Sequence, residues 1–368
     1  MSVHPGVGEP VASPGRTRVV VAMSGGVDSS VAAALLAEQG HDIVGVSMQL
    51  YDQREGQKHG NCCTLQDLND ARQVASALGL PHYILNLERR FHDTVVANFV
   101  DEYVSGRTPL PCAHCNSDLK FSTLVERAHG FGAGKVATGH YAQVSQGPDG
   151  RWRLHRGLDR SKDQSYFLFS LTQVQLAHAL FPVGGLNKAD VRAHARRLGL
   201  PVADKPDSQE ICFVTGGDYA AFVAAQAQSA PQGGIIRDAR GDALGTHDGI
   251  HRFTVGQRKG LGVSARAPLY VLTIDPETRD VTVGPKAALE RTRLRARGVN
   301  WLAVDAPDAW MRVSAQIRHR HVAADARVRA LANGEAEVEF DEPQIAIAPG
   351  QAVVFFNEDL VVGGGWIQ

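Results

Sequence analysis

The chain is poor in cysteine, with five in 368 residues. That is too few for a disulfide framework, and thiols so sparse are more often chemical or metal-binding than structural. No run of about 18 apolar residues occurs, so no membrane span is expected. Charge of one sign is also missing: the formal net is −1, which excludes a globally basic nucleic-acid coat but not a local basic face. Residues 1–17 hold Gly, Pro and Ser, a single arginine and no apolar signal core, and are expected to be a disordered leader. Without a signal or a span, the expected location is the cytoplasm.

What is present is a core-building composition, 43% apolar, on a chain long enough for two or three domains. The β-branched run Val19-Val20-Val21 reads as a buried strand, Ser24-Gly25-Gly26 as a turn, and Ser29 to Gln39 as a helix. Strand, glycine turn and helix start together make an anion site, because glycines let the backbone approach a phosphate and first-turn N–H groups point at it. Ser24, Ser29 and Ser30 add hydroxyls, and Asp28 is placed for a magnesium ion or a nucleotide hydroxyl. The loop lacks the lysine of a G-x-x-x-x-G-K-[ST] motif.

Strand and helix patterns then alternate. Strands are predicted at Ile43 to Met48, His82 to Leu87 and Lys135 to His140, and helices at Leu65 to Leu78, Phe91 to Val104 and Ser117 to Ala128. Such alternation predicts a doubly wound parallel sheet, with ligands at the carboxyl ends of its strands. Ser24, Met48 and Gly139 lie near those ends and are expected to share a pocket. A hairpin is predicted over Tyr141 to Arg156, then helices at Thr172 to Leu180 and Lys188 to Leu198. Beyond about Asp218, short strands separated by Gly, Pro and Asp predict a small β domain followed by a β-barrel. The expected division is a domain over 18–218, a small central β-rich domain over 219–285 and a barrel over 286–368.

Two stretches concentrate the thiols. In Thr108-Pro109-Leu110-Pro111-Cys112-Ala113-His114-Cys115-Asn116 the prolines predict an extended loop, with a helix capped at Asn116 or Ser117. Cys115 would then sit at a helix N-terminus, where the macrodipole favours the thiolate, with His114 as a local base. Other readings of Cys112 and Cys115 are half of a zinc site completed by Cys62 and Cys63, or a redox pair; Cys62 and Cys63 also read as packing thiols. Cys212 lies in the polar stretch Lys205-Pro206-Asp207-Ser208-Gln209-Glu210-Ile211-Cys212-Phe213, an unusual setting for an inert buried thiol.

The loop Ser24-Gly25-Gly26-Val27-Asp28-Ser29 resembles that of the PP-loop ATP pyrophosphatases, which cleave ATP between the α- and β-phosphates. With the Cys115-Asn116 loop, Thr138-Gly139-His140-Tyr141-Ala142, Lys162-Asp163-Gln164-Ser165-Tyr166-Phe167-Leu168, the Cys212 stretch, Gly256-Gln257-Arg258-Lys259-Gly260-Leu261-Gly262 and Pro349-Gly350-Gln351, the chain resembles the tRNA-specific 2-thiouridylases from about Arg18 onward. The resemblance implies 2-thiolation of the wobble uridine, position 34, of tRNA. ATP, with Mg2+, would bind at Ala22, Met23, Ser24, Gly25, Gly26, Val27, Asp28 and Ser29, with its adenine side near Met48 and Gly139. The uridine C2 oxygen would be adenylated. Cys212 would carry a persulfide received from a sulfur-donor protein, and Cys115 would be its catalytic partner, closing on it as a disulfide or freeing the sulfur. Implied RNA contacts are Leu110, Pro111, Cys112, His140, Lys162, Asp163, Gln164, Arg318, His319 and Gln351. Leu110 stands where known members often have Asn, and Cys112 where some have Asp.

A further RNA-contact surface is expected on the barrel. Between Lys286 and Arg329 there are ten Lys/Arg and four Asp/Glu, and Arg291, Arg293, Arg295 and Arg297 alternate along a predicted strand. Arg318-His319-Arg320-His321 adds a second cluster. The competing functional readings are a PP-loop ligase that adenylates a small carbonyl or carboxylate, which needs no thiols, and a non-catalytic RNA-binding protein.

Overall fold

A computed structural model describes residues 17–51, 64–207 and 211–368. The expected leader, Cys62 and Cys63 lie outside the described residues, apart from Thr17. Five parallel strands form the first sheet in the order β3-β2-β1-β4-β7, with β1 Arg18–Ala22, β2 Asp42–Gln49, β3 His82–Asn86, β4 Lys135–Ala137 and β7 Ala179–Leu180. Strand β1 lies between β2 and β4. Helices cover both of its faces, which is why Val19, Val20 and Val21 are all fully buried and the strand reads as an unbroken apolar run.

The two faces carry separate cores. Helices α1 (Val27–Glu38), α2 (Leu65–Ala77) and α8 (Lys188–Arg197) pack Val31, Val74 and Val191 on one. On the other, α3 (Glu88–Phe91) runs through a π-turn into α4 (Ala97–Val104), and α5 (Pro111–His114) through another into α6 (Ser122–Gly130), packing Phe91, Phe99, Leu119 and Leu124. Thr64 and Asp67 close a reciprocal capping box at the start of α2.

Two expectations need correction. The helix does not begin at Asn116 or Ser117 but at Pro111, because proline is tolerated at the first helical position, where its missing N–H has no intrahelical partner to lose. The helix over Thr172 to Leu180 ends at His178 as α7 (Gln173–His178), and Ala179-Leu180 becomes a short edge strand on β4.

The predicted hairpin forms as β5 (Ala142–Gln146) and β6 (Trp152–Arg156). It joins the barrel's sheet through Leu360 and His155 rather than standing alone. After α9 (Tyr219–Gln226) a four-stranded sheet takes β8 (Gly234–Asp238), β9 (Ala243–His247), β10 (Tyr270–Ile274) and β11 (Val281–Gly284). The remaining strands are β12 (Glu290–Trp301), β13 (Met311–Gln316), β14 (Ala324–Ala330), β15 (Ala336–Ile345), β16 (Ala352–Asn357) and β17 (Leu360–Ile367). Pairing of β12 with β17 closes these six into an antiparallel barrel, which leaves no open edge between its first and last strands.

Candidate active site

The glycine turn is built for close approach. Gly25 has φ +75°, and a Cβ there would stand 2.1 Å from the Asp67 carbonyl oxygen. Gly26 caps α1 without a side-chain hydrogen bond, so first-turn N–H groups face the loop mouth. The Ser24 N–H donates to Ser29 Oγ at 3.1 Å, and Ser30 Oγ donates to the Gly26 carbonyl at 2.8 Å. Gly139 meets the loop from the end of β4, where a Cβ would lie 2.5 Å from the Ser29 nitrogen. Ala22 to Ser29 and Gly139 therefore come together, with Met48 beyond them on the neighbouring strand, past the Ala22–Val46 pair.

Around this loop lies an ionic cluster that sequence reading missed. Tyr141 donates to Asp28 Oδ1 at 2.8 Å. Lys188 Nζ reaches Asp28 at 2.7 and 2.9 Å and Asp207 at 2.8 Å. Lys162 holds the other Asp207 oxygen at 2.7 Å, and Arg192 approaches at 3.3 Å. Burial acts to raise the Asp207 pKa, but hydrogen bonds from Lys162 and Lys188 outweigh it and hold the carboxyl below its ordinary range. Burial, then the Asp28 charge, pushes the Tyr141 phenol up, so it remains a donor. Lys205 braces the loop from behind through the Gly25 carbonyl (3.0 Å), Asp67 (2.6 Å) and Asp70 (2.5 Å). Lys188 lies in none of the sequence motifs, and the fold brings it to the loop.

Cys115 is buried and Cys212 half-buried, and both pack into one apolar cluster with Met48, Leu50, Phe91 and Phe213. The Cys212 sulfur lies 3.0 Å from the Tyr51 hydroxyl. Cys112 is exposed, although it stands three residues before Cys115. His114 does not serve Cys115: its ring stacks on Trp366 at 4.4 Å and its Nδ1 bonds Asp118 at 2.8 Å. Cys115 itself is not at the helix cap but inside the helical run, its N–H bonded to the Pro111 carbonyl. Among the described residues, no group of three or more His, Cys, Asp or Glu is arranged to hold a metal.

The residues expected to touch RNA divide by their surroundings. Leu110 and Pro111 are buried. Asp163 accepts from the Gly157 and Ser165 N–H groups, the Ser165 hydroxyl and Arg156. Gln164 accepts the Tyr141 N–H at 3.0 Å, positioning the tyrosine that serves Asp28. Gln351 donates to the Thr108 and Pro109 carbonyls, both at 3.1 Å, and so fastens the proline loop to the barrel. His140 is half-buried, bonded to Thr138 at 2.7 Å, and burial followed by Lys120 pushes its pKa down to about 3. Arg318 and His319 are exposed, with the His319 ring 4.5 Å from Phe167. A cleft of about 510 Å³ opens beside Thr108, Gln257, Arg318 and Gln351.

Arg293, Arg295 and Arg297 alternate on the exposed side of β12, and the basic stretch gains acidic partners that sequence order hides. Strand β15 places Glu337 and Glu339 between β12 and β14. Arg293 and Arg327 pair with Glu339 at 3.2 and 2.8 Å, and Arg329 with Glu337 at 2.7 Å. The acids lie just past Arg329 in sequence, outside the stretch that reads as basic.

Comparison with known proteins follows the same division of sheets. A tRNA methyl transferase HUP domain family matches residues 17–216, a tRNA methyl transferase PRC-barrel domain residues 220–285, and an aminomethyltransferase beta-barrel domain residues 291–367. A protein of Geotalea uraniireducens (strain Rf4), tRNA-specific 2-thiouridylase MnmA, is 51% identical over 358 residues, 96% of this chain and 95% of its own. The protein of that name from Rhodospirillum centenum (strain ATCC 51521 / SW) is 51% identical over 366 residues, covering 96% and 92%. The tRNA-specific 2-thiouridylase MnmA 1 of Thermoanaerobacter sp. (strain X514) is 48% identical over 355 residues, covering 95% and 98%.

Proposed function

The chain belongs to the tRNA-specific 2-thiouridylase family, a tRNA sulfurtransferase that forms 2-thiouridine by ATP-dependent PP-loop chemistry, and from that premise we propose how its own residues carry the reaction. The target is the wobble uridine, position 34. The α1 turn binds the phosphates of ATP through Ser24 to Ser29, with the adenine side toward Met48 and Gly139. The uridine C2 oxygen attacks the α-phosphorus, the α–β bridge breaks, and pyrophosphate leaves. Adenylation suits the problem, because an amide-like carbonyl is a poor electrophile and its oxygen becomes a leaving group once it carries AMP.

Cys212 carries a persulfide received from a sulfur-donor protein. Its terminal sulfur attacks C2, and AMP departs with the former C2 oxygen. The Cys115 thiolate then attacks the Cys212 sulfur. The sulfur–sulfur bond breaks, the uracil keeps its sulfur as a thiocarbonyl, and a Cys115–Cys212 disulfide remains for a dithiol to reduce. Asp28 is the loop carboxylate that would hold magnesium, in exchange for the Lys188 ammonium and Tyr141 hydroxyl now on its oxygens. That ion would supply charge neutralisation for the phosphates.

The observation that carries this reading is the packing of Cys115 and Cys212, from separate segments, in one cluster with Met48 beyond the nucleotide loop. The test is mass analysis of tRNA after incubation with ATP, magnesium and a persulfide donor. One sulfur should replace one oxygen on the wobble uridine, and Cys212→Ser or Cys115→Ser should lower the yield at least a thousandfold. Full activity in either variant refutes the assignment.

A further inference from the structure

The exchange described above ends with a disulfide between Cys115, 6% exposed, and Cys212, half-buried, in one apolar cluster. Thiol–disulfide exchange depends on access to a sulfur, and this packing hinders an external dithiol. Cys112 is exposed and stands one turn before Cys115. The Cys115 N–H bonds the Cys112 carbonyl as well as that of Pro111. A bond across three residues tightens the turn toward 3₁₀ geometry, in which side chains three apart eclipse. Helix geometry sets such Cα atoms at about 5 Å, inside the range a disulfide spans. Helical residues run unbroken over 111–130, so Cys112 lies in the first turn, where the macrodipole favours a thiolate. The barrel holds this turn in place: the Thr108 N–H donates to the Pro349 carbonyl at 2.7 Å, and Trp366 stacks on His114.

We propose that Cys112 is a further catalytic residue, the thiol that resolves the Cys115–Cys212 disulfide. This rests on the exchange reading given above. Cys112 loses its proton to solvent, and its thiolate attacks the Cys115 sulfur. A Cys112–Cys115 bond forms, the Cys115–Cys212 bond breaks, and the electron pair leaves on Cys212 as a thiolate. Cys212 thus returns to the state that accepts the next sulfur from a persulfide. The new disulfide has one sulfur at the surface. There a thiolate of an external dithiol attacks Cys112 and frees Cys115. The second thiol of the reductant then closes on the first and frees Cys112. Two electrons and two protons pass from the dithiol to the pair. The oxidised bond is carried from the interior to the surface by one exchange along a single helical turn.

The test maps disulfides after thiolation. The full-length protein is loaded with sulfur from polysulfide, desalted, and given tRNA, ATP and magnesium without reductant. Remaining thiols are blocked with N-ethylmaleimide, and peptides are weighed by mass spectrometry. The wild-type protein should hold a Cys112–Cys115 disulfide with Cys212 alkylated, whereas Cys112→Ser should stop at Cys115–Cys212. With reduced thioredoxin as the dithiol, repeated turnover in Cys112→Ser should fall at least tenfold. Dithiothreitol, small enough to enter the cluster, should restore it to within about threefold, which it would not do for a lost RNA contact. The proposal is overturned by wild-type protein trapped as Cys115–Cys212, by Cys112→Ser turnover within twofold of wild type under thioredoxin, or by a loss that dithiothreitol leaves in place. A metal bound through Cys112 and Cys115 in the purified protein overturns it as well. If thiouridine forms and neither protein holds a disulfide, the underlying exchange is at fault and the relay falls with it.

Discussion

Two regions of the molecule are rich in charge, and they use it in opposite ways. On the barrel face, Arg293 of β12 and Arg327 and Arg329 of β14 flank Glu337 and Glu339 of β15, and each acid is contacted from both sides. These arginines are exposed or half-buried, and water and salt screen their charges. At the nucleotide loop the cations are fewer but part-buried, and Lys188, Lys162 and Arg192 gather around Asp28 and Asp207, with Asp159 on the Lys188 N–H. Charge counted along a sequence window is therefore a poor guide to potential. A partner strand brings acids to the richer window, while a helix and two loops assemble the part-buried ionic cluster at the nucleotide turn.

The contrast is broken most severely by damage to the loop itself. Gly25→Ala combines a left-handed φ with a Cβ against the Asp67 carbonyl. It should lower AMP release at least a hundredfold while the barrel remains folded by near-UV circular dichroism. Gly139→Ala, which drives a Cβ against the α1 first turn, should lower it at least tenfold by the same assay.

Acid sharpens the contrast next. The folded pKa of His140 is about 3, below its ordinary 6.5, so the unfolded chain binds the extra proton first. Stability from this group is complete above about 6.5 and is lost as the pH falls toward 3. Chemical denaturation at successive pH values should show this slope, and His140→Asn should remove it. The barrel carboxylates Glu339 and Asp341 behave differently, because hydrogen bonds from Arg327 and Arg312 hold them below their ordinary values.

The smallest effects belong to the barrel face. Arg327→Ala should change tRNA affinity less than twofold and cost about 0.5 kcal/mol or less, since exposed ion pairs contribute little. Glu339→Gln should tighten tRNA binding slightly and steepen its salt dependence, because it leaves two arginines less answered. Filter binding across a salt series reads both. A tenfold loss in Arg327→Ala would erase the difference between the two regions.

Much of this was legible in the residues. The Val19–Val21 run, the glycine turn and the alternation of periods specify a parallel sheet, because a central strand buried on both faces has little choice of composition. The thiol stretches stand out for their polar setting. Lys188 does not, because nothing local distinguishes a lysine at one helix start from another; only the packing of α8 on α1 gives it a role. The helix start at Pro111 was hidden because the same proline that forbids a helix interior is at home in its first turn. The neutralised arginines were hidden because their partners sit across strands rather than along them.

The central claim, that the uridine oxygen is adenylated before sulfur arrives, has a direct isotopic test. Substrate tRNA carrying oxygen-18 at C2 of the wobble uridine is thiolated with unlabelled ATP in ordinary water, and the AMP is weighed by mass spectrometry. The account predicts one oxygen-18 in each AMP formed per thiolation. Unlabelled AMP, with the heavy oxygen recovered in water, would contradict it.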